Sequence, residues 1–523
     1  MKPAPNNGTM EALSFYRSPT LFVRGLVVFL LLCTSAAAAS AHPALIPLPS
    51  SIEWNQGSVP IDSNTIVDGS GEAAPTATYL ERQLGLKGNG HGGSRIRLSL
   101  VPAGKMAGPE AYHLVASGKE VLIEASDPRG LFYGTQTLRQ LVAGGPSSRA
   151  IADVNINDAP RFRWRGLLID LGRHFFGKPT LFKIIDEMAA YKLNVLHLHL
   201  TDDPGWRLEI PGYPKLTQSA VKPDGSREYF TAADIAEIVA YAAQRHIIVV
   251  PEIEMPSHAG SVASAYPELY NGGSALDPAN PKTYAFIRSV FAEVARLFPE
   301  PYIHFGGDEV ADDAWKNVKD VDALKTRLGL KSTKEVEAYF VKNVVEIIEG
   351  VGKRPMAWDE QAEAGASKDV AIEWWRKDRP DVLNAAAQRG SELVMSPVDR
   401  LYFDYHQGPG EPGAPWEGND GGPTSIAKML AWEPVPQNFT PDEAARVLGI
   451  EGAVWTEFIQ TERYLDFMTF PRLLALAEIA WCPKGPRDDK EFEARLAPHI
   501  EALRAQGIDA RRDEEDAYEF ITN

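Results

Sequence analysis

After Asp158-Ala159-Pro160 the sequence settles into short apolar runs alternating with amphipathic helical stretches, and this alternation limits the possible folds more than any other feature of the chain. Eight runs read as buried strands: Gly166–His174, Leu193–Asp202, Ile247–Glu254, Tyr302–Gly306, Arg354–Asp359, Val370–Trp375, Glu392–Asp404 and Glu451–Glu457. Helical periodicity fills Thr180–Tyr191, Thr231–Arg245, Pro281–Phe298 and Lys334–Gly352 between them. Eight strand-helix repeats predict a (β/α)8 TIM barrel over residues 159–508, with any active site at the C-terminal ends of its strands.

Each run ends in polar or aromatic groups, as a barrel enzyme requires. The endings are Arg173-His174, Asp202-Asp203, Glu254 with His258, Asp308-Glu309, Trp358-Asp359-Glu360, Glu373-Trp374-Trp375, Tyr402 with Asp404, and Trp455 with Glu457. One such ending could be a satisfied structural group; eight in succession point to a site. Residues 42–158 carry short β-type runs (95–100, 112–115, 121–125) and a helix from Gly130 to Val142, which reads as a small, non-catalytic α+β domain. Residues 509–523 read as a charged tail.

The N-terminus carries Arg17 and Arg24, the apolar run 25–33, and small residues through Ala39-Ser40-Ala41. This predicts a secretory signal (residues 1–41) cleaved after Ala41, hence a periplasmic or secreted protein with no membrane span once cleaved. The competing reading is an uncleaved anchor, disfavoured because the apolar core falls short of the ~20 residues a spanning helix needs. Cleavage removes Cys33 and leaves Cys482 alone, so no internal disulfide is expected. A net charge of −17 would repel nucleic acid rather than attract it.

In Tyr302-Ile303-His304-Phe305-Gly306-Gly307-Asp308-Glu309 an apolar strand meets two glycines and then adjacent carboxylates. Two acids this close in a low-dielectric site cannot ionise independently, and the charge on one raises the pKa of the other. A carboxylic acid kept protonated in this way can act as a general acid. The other endings add carboxylates, one Arg, His and several Trp. That set suits sugar recognition, since acids accept hydrogen bonds from hydroxyls and indole faces cover the C–H faces of a pyranose. His197 and His199 share a strand face near Asp202, an arrangement that can hold zinc, but local spacing supplies no third ligand. Hydrogen-bonded buried histidines are the preferred reading there, and no cofactor or metal is called for.

Together these segments resemble the β-N-acetylhexosaminidases of glycoside hydrolase family 20. The likeness rests on 166–175, 196–206, Pro251-Glu252-Ile253-Glu254-Met255-Pro256-Ser257-His258, His304–Glu309, Tyr402-Phe403-Asp404 and Trp455-Thr456-Glu457, and covers about residues 160 to 482. The resemblance implies an exo-acting enzyme that removes terminal non-reducing N-acetylglucosamine from oligosaccharides or glycoconjugates with retention of anomeric configuration, and it leaves open whether N-acetylgalactosamine is a substrate too. Glu309 would be the acid/base. The substrate's own acetamido oxygen would be the nucleophile, forming an oxazolinium ion; this family is one of the substrate-assisted exceptions to the two-carboxylate scheme. Asp308 would orient and stabilise the acetamido group and Tyr402 would bond its oxygen. Arg173, Asp404 and Glu457 would bind the outer hydroxyls, and Trp358, Trp375 or its neighbour Trp374, and Trp455 would box in the methyl group and sugar face. Asp202, Glu254, His258 and His304 would stand behind these groups. Family members often carry Asp where this chain has Glu254, which puts a direct Glu254–His258 contact in doubt.

Two alternatives stay open at the level of sequence. One is a barrel glycosidase using two side-chain carboxylates, such as Glu309 with Glu360; the other is a sugar-binding protein without turnover. The Gly/Pro-rich stretch Gln407–Pro423 reads as the outer wall of the site or as an oligomer contact.

Overall fold

The computed structural model describes residues 42–86, 93–144, 148–316, 318–416 and 421–512. The signal segment, its cleavage point after Ala41 and Cys33 lie outside these residues, as do 513–523 of the charged tail. No helix among the described residues is long and apolar enough to cross a membrane.

Six strands form the N-terminal sheet: β1 (Ser51–Pro60), β2 (Ile66–Asp68), β3 (Arg95–Leu100), β4 (Tyr112–Ser117), β5 (Glu120–Ala125) and β6 (Ala150–Asp158), in the spatial order β1-β6-β4-β5-β3-β2. The helices Ala74–Leu84 and Pro128–Leu141 accompany it. Asp127 starts the second helix by accepting a hydrogen bond from the Arg129 backbone N–H, ahead of Pro128 in the first turn. Three strands and the first helix were not legible from sequence. β1 is mostly exposed and its pairing with β6 shifts between Trp54 and Ser58, so no clean two-residue period survives.

The remaining eight strands close into a parallel barrel: β7 (Trp164–Asp170), β8 (Val195–His199), β9 (Ile248–Glu252), β10 (Tyr302–His304), β11 (Arg354–Trp358), β12 (Ala371–Trp374), β13 (Leu393–Met395) and β14 (Val447–Val454). Every barrel strand differs from its expected bounds by one or more residues, and for β13 and β14 the difference alters how the chain runs. β14 begins at Val447 rather than Glu451. β13 stops at Met395, and Ser396-Pro397 turn the chain into the short helix Val398–Leu401, after which Tyr402 rejoins the barrel by a bridge to Ala453.

Alternate residues of each strand face the barrel interior, which builds it in layers. Trp164, Val195, Val250, Tyr302, Met356, Ala371, Val394 and Leu448, one from each strand, form an apolar plug at the N-terminal end. Further along the strands comes a fully buried polar layer of His197, Glu252, His304, Glu373 and Glu451. Above it Leu168, Trp358, Tyr402, Tyr405 and Trp455 make an aromatic floor at the C-terminal mouth.

The sheet domain and barrel share a buried polar junction. Lys192 donates from Nζ to Asp158 (3.1 Å) and to the Tyr112 hydroxyl (3.0 Å) and lies over the Trp481 ring at 4.4 Å. Asp158 also accepts from Tyr112 Oη (2.6 Å) and Trp481 Nε1 (2.9 Å), so its buried carboxylate is fully partnered.

Candidate active site

β10 delivers Asp308 and Glu309 through a tight passage. Gly306 (φ +68) and Gly307 (φ +96) lie in left-handed backbone, and a Cβ on Gly306 would fall 1.9 Å from Glu254 Oε2. Only bare backbone can cross the Glu254 carboxyl here. Glu309 itself holds φ +51, a conformation costly for a side chain other than glycine, so the turn spends local strain to aim this residue.

Beside the pair lies a cavity of about 620 Å³, whose walls include Arg173, Asp202, His258, Trp375, Tyr402, Asp404, Trp455 and Glu457. All of these were expected at a site from sequence, and together with the acidic pair they come from seven different strand ends. The cavity floor holds a chain of charges. His199 is held between Glu252 (2.7 Å) and Asp202 (2.9 Å), and although burial opposes its charge these carboxylates raise its pKa to about 9. Asp202 then receives Arg173 Nη2 at 3.0 Å, and His258 Nδ1 lies 3.6 Å away. His258 Nε2 faces Glu309 at 3.2 Å and Asp308 at 3.7 Å. Burial opposes a charge on His258 too, but the nearby Asp202 carboxylate, the hydrogen bond to Glu309 and the nearby Asp308 outweigh it and lift its pKa to about 11.

That imidazolium splits the acidic pair. Glu309 is held below the usual carboxylate range by the hydrogen bond from His258, with burial opposing. Asp308 is pushed up by burial, with His258 opposing and Glu309 reinforcing. The two carboxyls are thus biased in opposite directions, Asp308 toward holding a proton and Glu309, whose side chain is 59 % exposed, toward losing it.

Opposite the pair, Arg173 ties Asp170 (3.4 Å), Asp202 and Glu457 (3.5 Å) together under the Trp455 ring. Asp404 is buried and pushed well up by burial and by Glu457, and burial raises Glu457 against the pull of Arg173. Asp308 Oδ1, Asp404 Oδ1, Glu457 Oε2 and Trp455 Nε1 are all buried without a hydrogen-bond partner, on residues that line the cavity. Such groups are rare in folded proteins, and a cluster of them is suited to a polyhydroxylated ligand. Trp375 and Tyr402 stack at 6.1 Å with 14° between their planes, and Trp455 lies 5.9 Å from Tyr402.

Residues 162–484 match the model of the family 20 glycosyl hydrolase catalytic domain, and residues 42–159 match domain 2 of the same family. The chain belongs to glycosyl hydrolase family 20. It is 33 % identical to a beta-hexosaminidase of Porphyromonas gingivalis over 89 % of this chain, spanning 64 % of that protein's length. A beta-hexosaminidase of Vibrio furnissii is 32 % identical over 84 % of this chain and 77 % of its own. Among solved structures, the family 20 β-N-acetylhexosaminidase of Streptomyces coelicolor superposes with a TM-score of 0.78 at 32 % identity, covering 90 % of this chain and 98 % of that one. The exo β-N-acetylglucosaminidase of Vibrio harveyi in complex with N-acetylglucosamine gives 0.82 at 30 % identity, covering 90 % and 78 %.

Not every residue named from the sequence lines the cavity of this family 20 chain. Trp374 does not face the cavity. Its neighbour Glu373 occupies the inward position in the polar layer, so Trp374 points outward into the packing between barrel and helices, with its indole N–H toward the Arg379 carbonyl at 3.4 Å. Trp375 is therefore the cavity residue of the two. Trp358, only 1 % exposed, is part of the aromatic floor, 5.8 Å from the Trp455 ring, and donates its indole N–H to Glu252 at 2.8 Å. His304 sits in the polar layer, 2.8 Å from Glu252. Glu254 makes no contact with His258; both its oxygens are buried without a partner, and burial, Asp308 and Glu252 push its pKa well up. His197 lies 2.7 Å from Glu451 and is not in the cavity.

Sequence reasoning missed Tyr405, Arg376, Asp378, Val398 and Trp416 in the cavity wall. Arg376 and Asp378 follow Trp375 closely and were accessible as part of the sixth strand ending. Trp416 lies in an aperiodic loop, and nothing but the general assignment of 407–423 to the outer wall pointed to it.

Proposed function

We propose that this protein is an exo-acting β-N-acetylhexosaminidase that hydrolyses terminal N-acetylhexosamine from oligosaccharides or glycoconjugates by substrate-assisted catalysis. The observation that carries the reading is the divided acidic pair beside the cavity: Glu309 open to the cavity and linked to His258, Asp308 half-buried next to it with a buried, unpartnered Oδ1. Catalysis needs the proton on Glu309 and the charge on Asp308, opposite to the directions in which the free site biases the two groups. A seated sugar supplies both changes. Its acetamido N–H donates to Asp308 and stabilises the anion, while its ring displaces water from Glu309 and favours the neutral acid.

Glu309 then protonates the glycosidic oxygen as that bond breaks, and the acetamido oxygen, aligned by Tyr402, attacks the anomeric carbon. Asp308 balances the positive charge of the oxazolinium ion, and Glu309 afterwards takes a proton from the water that opens it. Arg173, Asp404 and Glu457 gather at one side of the cavity, where the hydroxyls of a terminal sugar would be bound. Trp375 and Trp455 cover its faces. Trp416, 40 % exposed at the cavity wall, is placed for the leaving group.

The two-carboxylate alternative is disfavoured by Glu360. It is held behind Trp375 by that indole N–H (3.1 Å), and burial with Asp359 and Asp308 raises its pKa well above the usual range, which makes it a poor nucleophile. Export of the mature chain from near His42 is part of the proposal and is supported by the apolar run and small residues before it.

A panel of 4-nitrophenyl β-glycosides, with and without chelator, tests the reading. The 2-acetamido glycosides should turn over at least about 10²-fold faster than the 2-hydroxy glucoside, because only they carry the internal nucleophile. Chelation should leave the rate unchanged. Equal rates on 2-hydroxy substrates would restore a side-chain nucleophile, absence of all turnover would favour the sugar-binding reading, and chelator-sensitive activity restored by zinc would revive a metal.

A further inference from the structure

The loop that carries Trp416 is fastened from the far end of the chain. Glu411 folds back beneath it, its side chain only 2 % exposed, through space left by Gly408, where a Cβ would fall 2.6 Å from Glu411 Oε1. Arg511 meets this carboxylate as a fork, with Nε donating to Oε2 at 2.8 Å and Nη2 donating to Oε1. Arg511 is itself fixed, its backbone N–H donating to the Phe470 carbonyl at 3.2 Å beyond the buried Ile508 and Ala510. The first residues of the expected tail are therefore packed structure.

A second arginine holds the ends of the same loop. Arg472, fully buried, donates to the backbone carbonyls of Tyr405 (2.8 Å), Thr424 (3.3 Å) and Phe403. Its acceptors flank Tyr402 and Asp404 on one side and close the loop on the other. From the Ala414 N–H, bonded to the Asp404 carbonyl at 2.8 Å, only one residue separates the chain from Trp416. Between Tyr405 and Trp416 the loop is held at Glu411 by the fork, at Ala414 by Asp404, and at Trp416 by edge contact with the Phe458 ring, 5.2 Å between centroids; of these holds only the fork comes from the C-terminal segment.

We infer that Arg511, outside the residues 162–484 matched by the family catalytic domain, is a positioning residue for the leaving-group side of the site. By holding Glu411 under the loop it sets Trp416 at the cavity wall, so the C-terminal segment takes part in selecting which aglycone is cleaved. Physically, removing Arg511 leaves a buried carboxylate uncompensated; the cheapest relief is for Glu411 to swing out to water and carry the loop and Trp416 with it. The terminal sugar's other binding groups, Arg173, Glu457 and the acidic pair, lie on other strand ends, and Asp404, which the loop does touch through Ala414, is also held in place by Arg472 at the carbonyls of Phe403 and Tyr405 on either side of it. The inference rests on the hydrolase reading above.

The test compares two substrates with similarly poor leaving groups: a β-1,4-linked N-acetylglucosamine disaccharide, whose second sugar reaches Trp416, and methyl N-acetyl-β-glucosaminide, whose methyl group does not. In Arg511→Ala, KM for the disaccharide should rise about 10-fold with kcat little changed, while kcat/KM for the methyl glycoside stays within about 2-fold of wild type. Arg511→Lys, which keeps the charge but not the fork, should fall between. In a Trp416→Ala background, Arg511→Ala should add no further loss on the disaccharide. Glu411→Gln avoids the buried charge and serves if Arg511→Ala does not fold; it should shift the disaccharide KM in the same direction by less. Equal losses on both substrates, an unchanged disaccharide KM, or full additivity with Trp416→Ala would overturn the inference. A wild-type chain that cleaves neither substrate would instead defeat the proposed function.

Discussion

Replacing Glu309 with Gln should lower kcat/KM for the disaccharide by about 10³-fold while lowering it for an activated 4-nitrophenyl glycoside by about 10-fold or less. The difference follows from what the residue supplies. The amide oxygen of the Glu309→Gln variant can still accept a hydrogen bond from His258, so the site's geometry survives, but the amide has no proton to give. A sugar alkoxide cannot leave unprotonated, whereas a nitrophenolate can, and kcat/KM reports only the steps through bond cleavage. Steady-state rates on both substrates, with folding checked by thermal denaturation, decide the matter. Equal losses on the two leaving groups would remove Glu309 from the role of general acid.

The Asp308→Asn variant should behave differently, losing about 10²- to 10³-fold on both substrates, because charge stabilisation of the acetamido group is needed whatever leaves. Its pH profile should also move. In the wild type the Asp308 pKa is raised by burial, with His258 opposing, so the pair should hold one shared proton to higher pH than Glu309 would hold it alone. With an amide in place of the Asp308 carboxyl only Glu309 can hold it, and His258 keeps the Glu309 pKa below the usual range. The active protonation state is therefore lost at lower pH, and the alkaline limb of kcat/KM should shift to the acid side. A profile unchanged in position, or a loss confined to the unactivated substrate, would contradict this division of labour.

Much of this arrangement was legible in the sequence because barrel strands carry a strict two-residue alternation and finish in the groups that do chemistry. Arg173, Asp202, His258, Asp308, Glu309, Tyr402, Asp404, Trp455 and Glu457 were found from position at strand ends. The same alternation, applied from Glu373 inward, would have assigned Trp374 to the outer packing and Trp375 to the cavity. Other features had no local signal. That His258 pairs with Glu309 and not with Glu254 depends on where a turn after β9 lies relative to one after β10. β13 looked long because apolar residues recur throughout Glu392–Asp404, yet Pro397 ends it. β1 is an edge strand with most of its residues exposed, and β6 carries Asp153, Asn155, Asn157 and Asp158 among its apolar positions, so the composition of both resembles that of a loop. The Arg511–Glu411 fork joins residues a hundred positions apart, which no spacing rule detects.

The central claim is that the substrate's acetamido oxygen, and no side chain, is the nucleophile. Its most direct test is the inhibition constant of a thiazoline that mimics the cyclised intermediate, measured on the wild-type enzyme against KM for the matching 2-acetamido glycoside. A site built to stabilise that bicyclic cation through Asp308 and Tyr402 should bind the thiazoline at least about 10²-fold more tightly than substrate. Binding no tighter than that of N-acetylglucosamine itself would contradict substrate assistance.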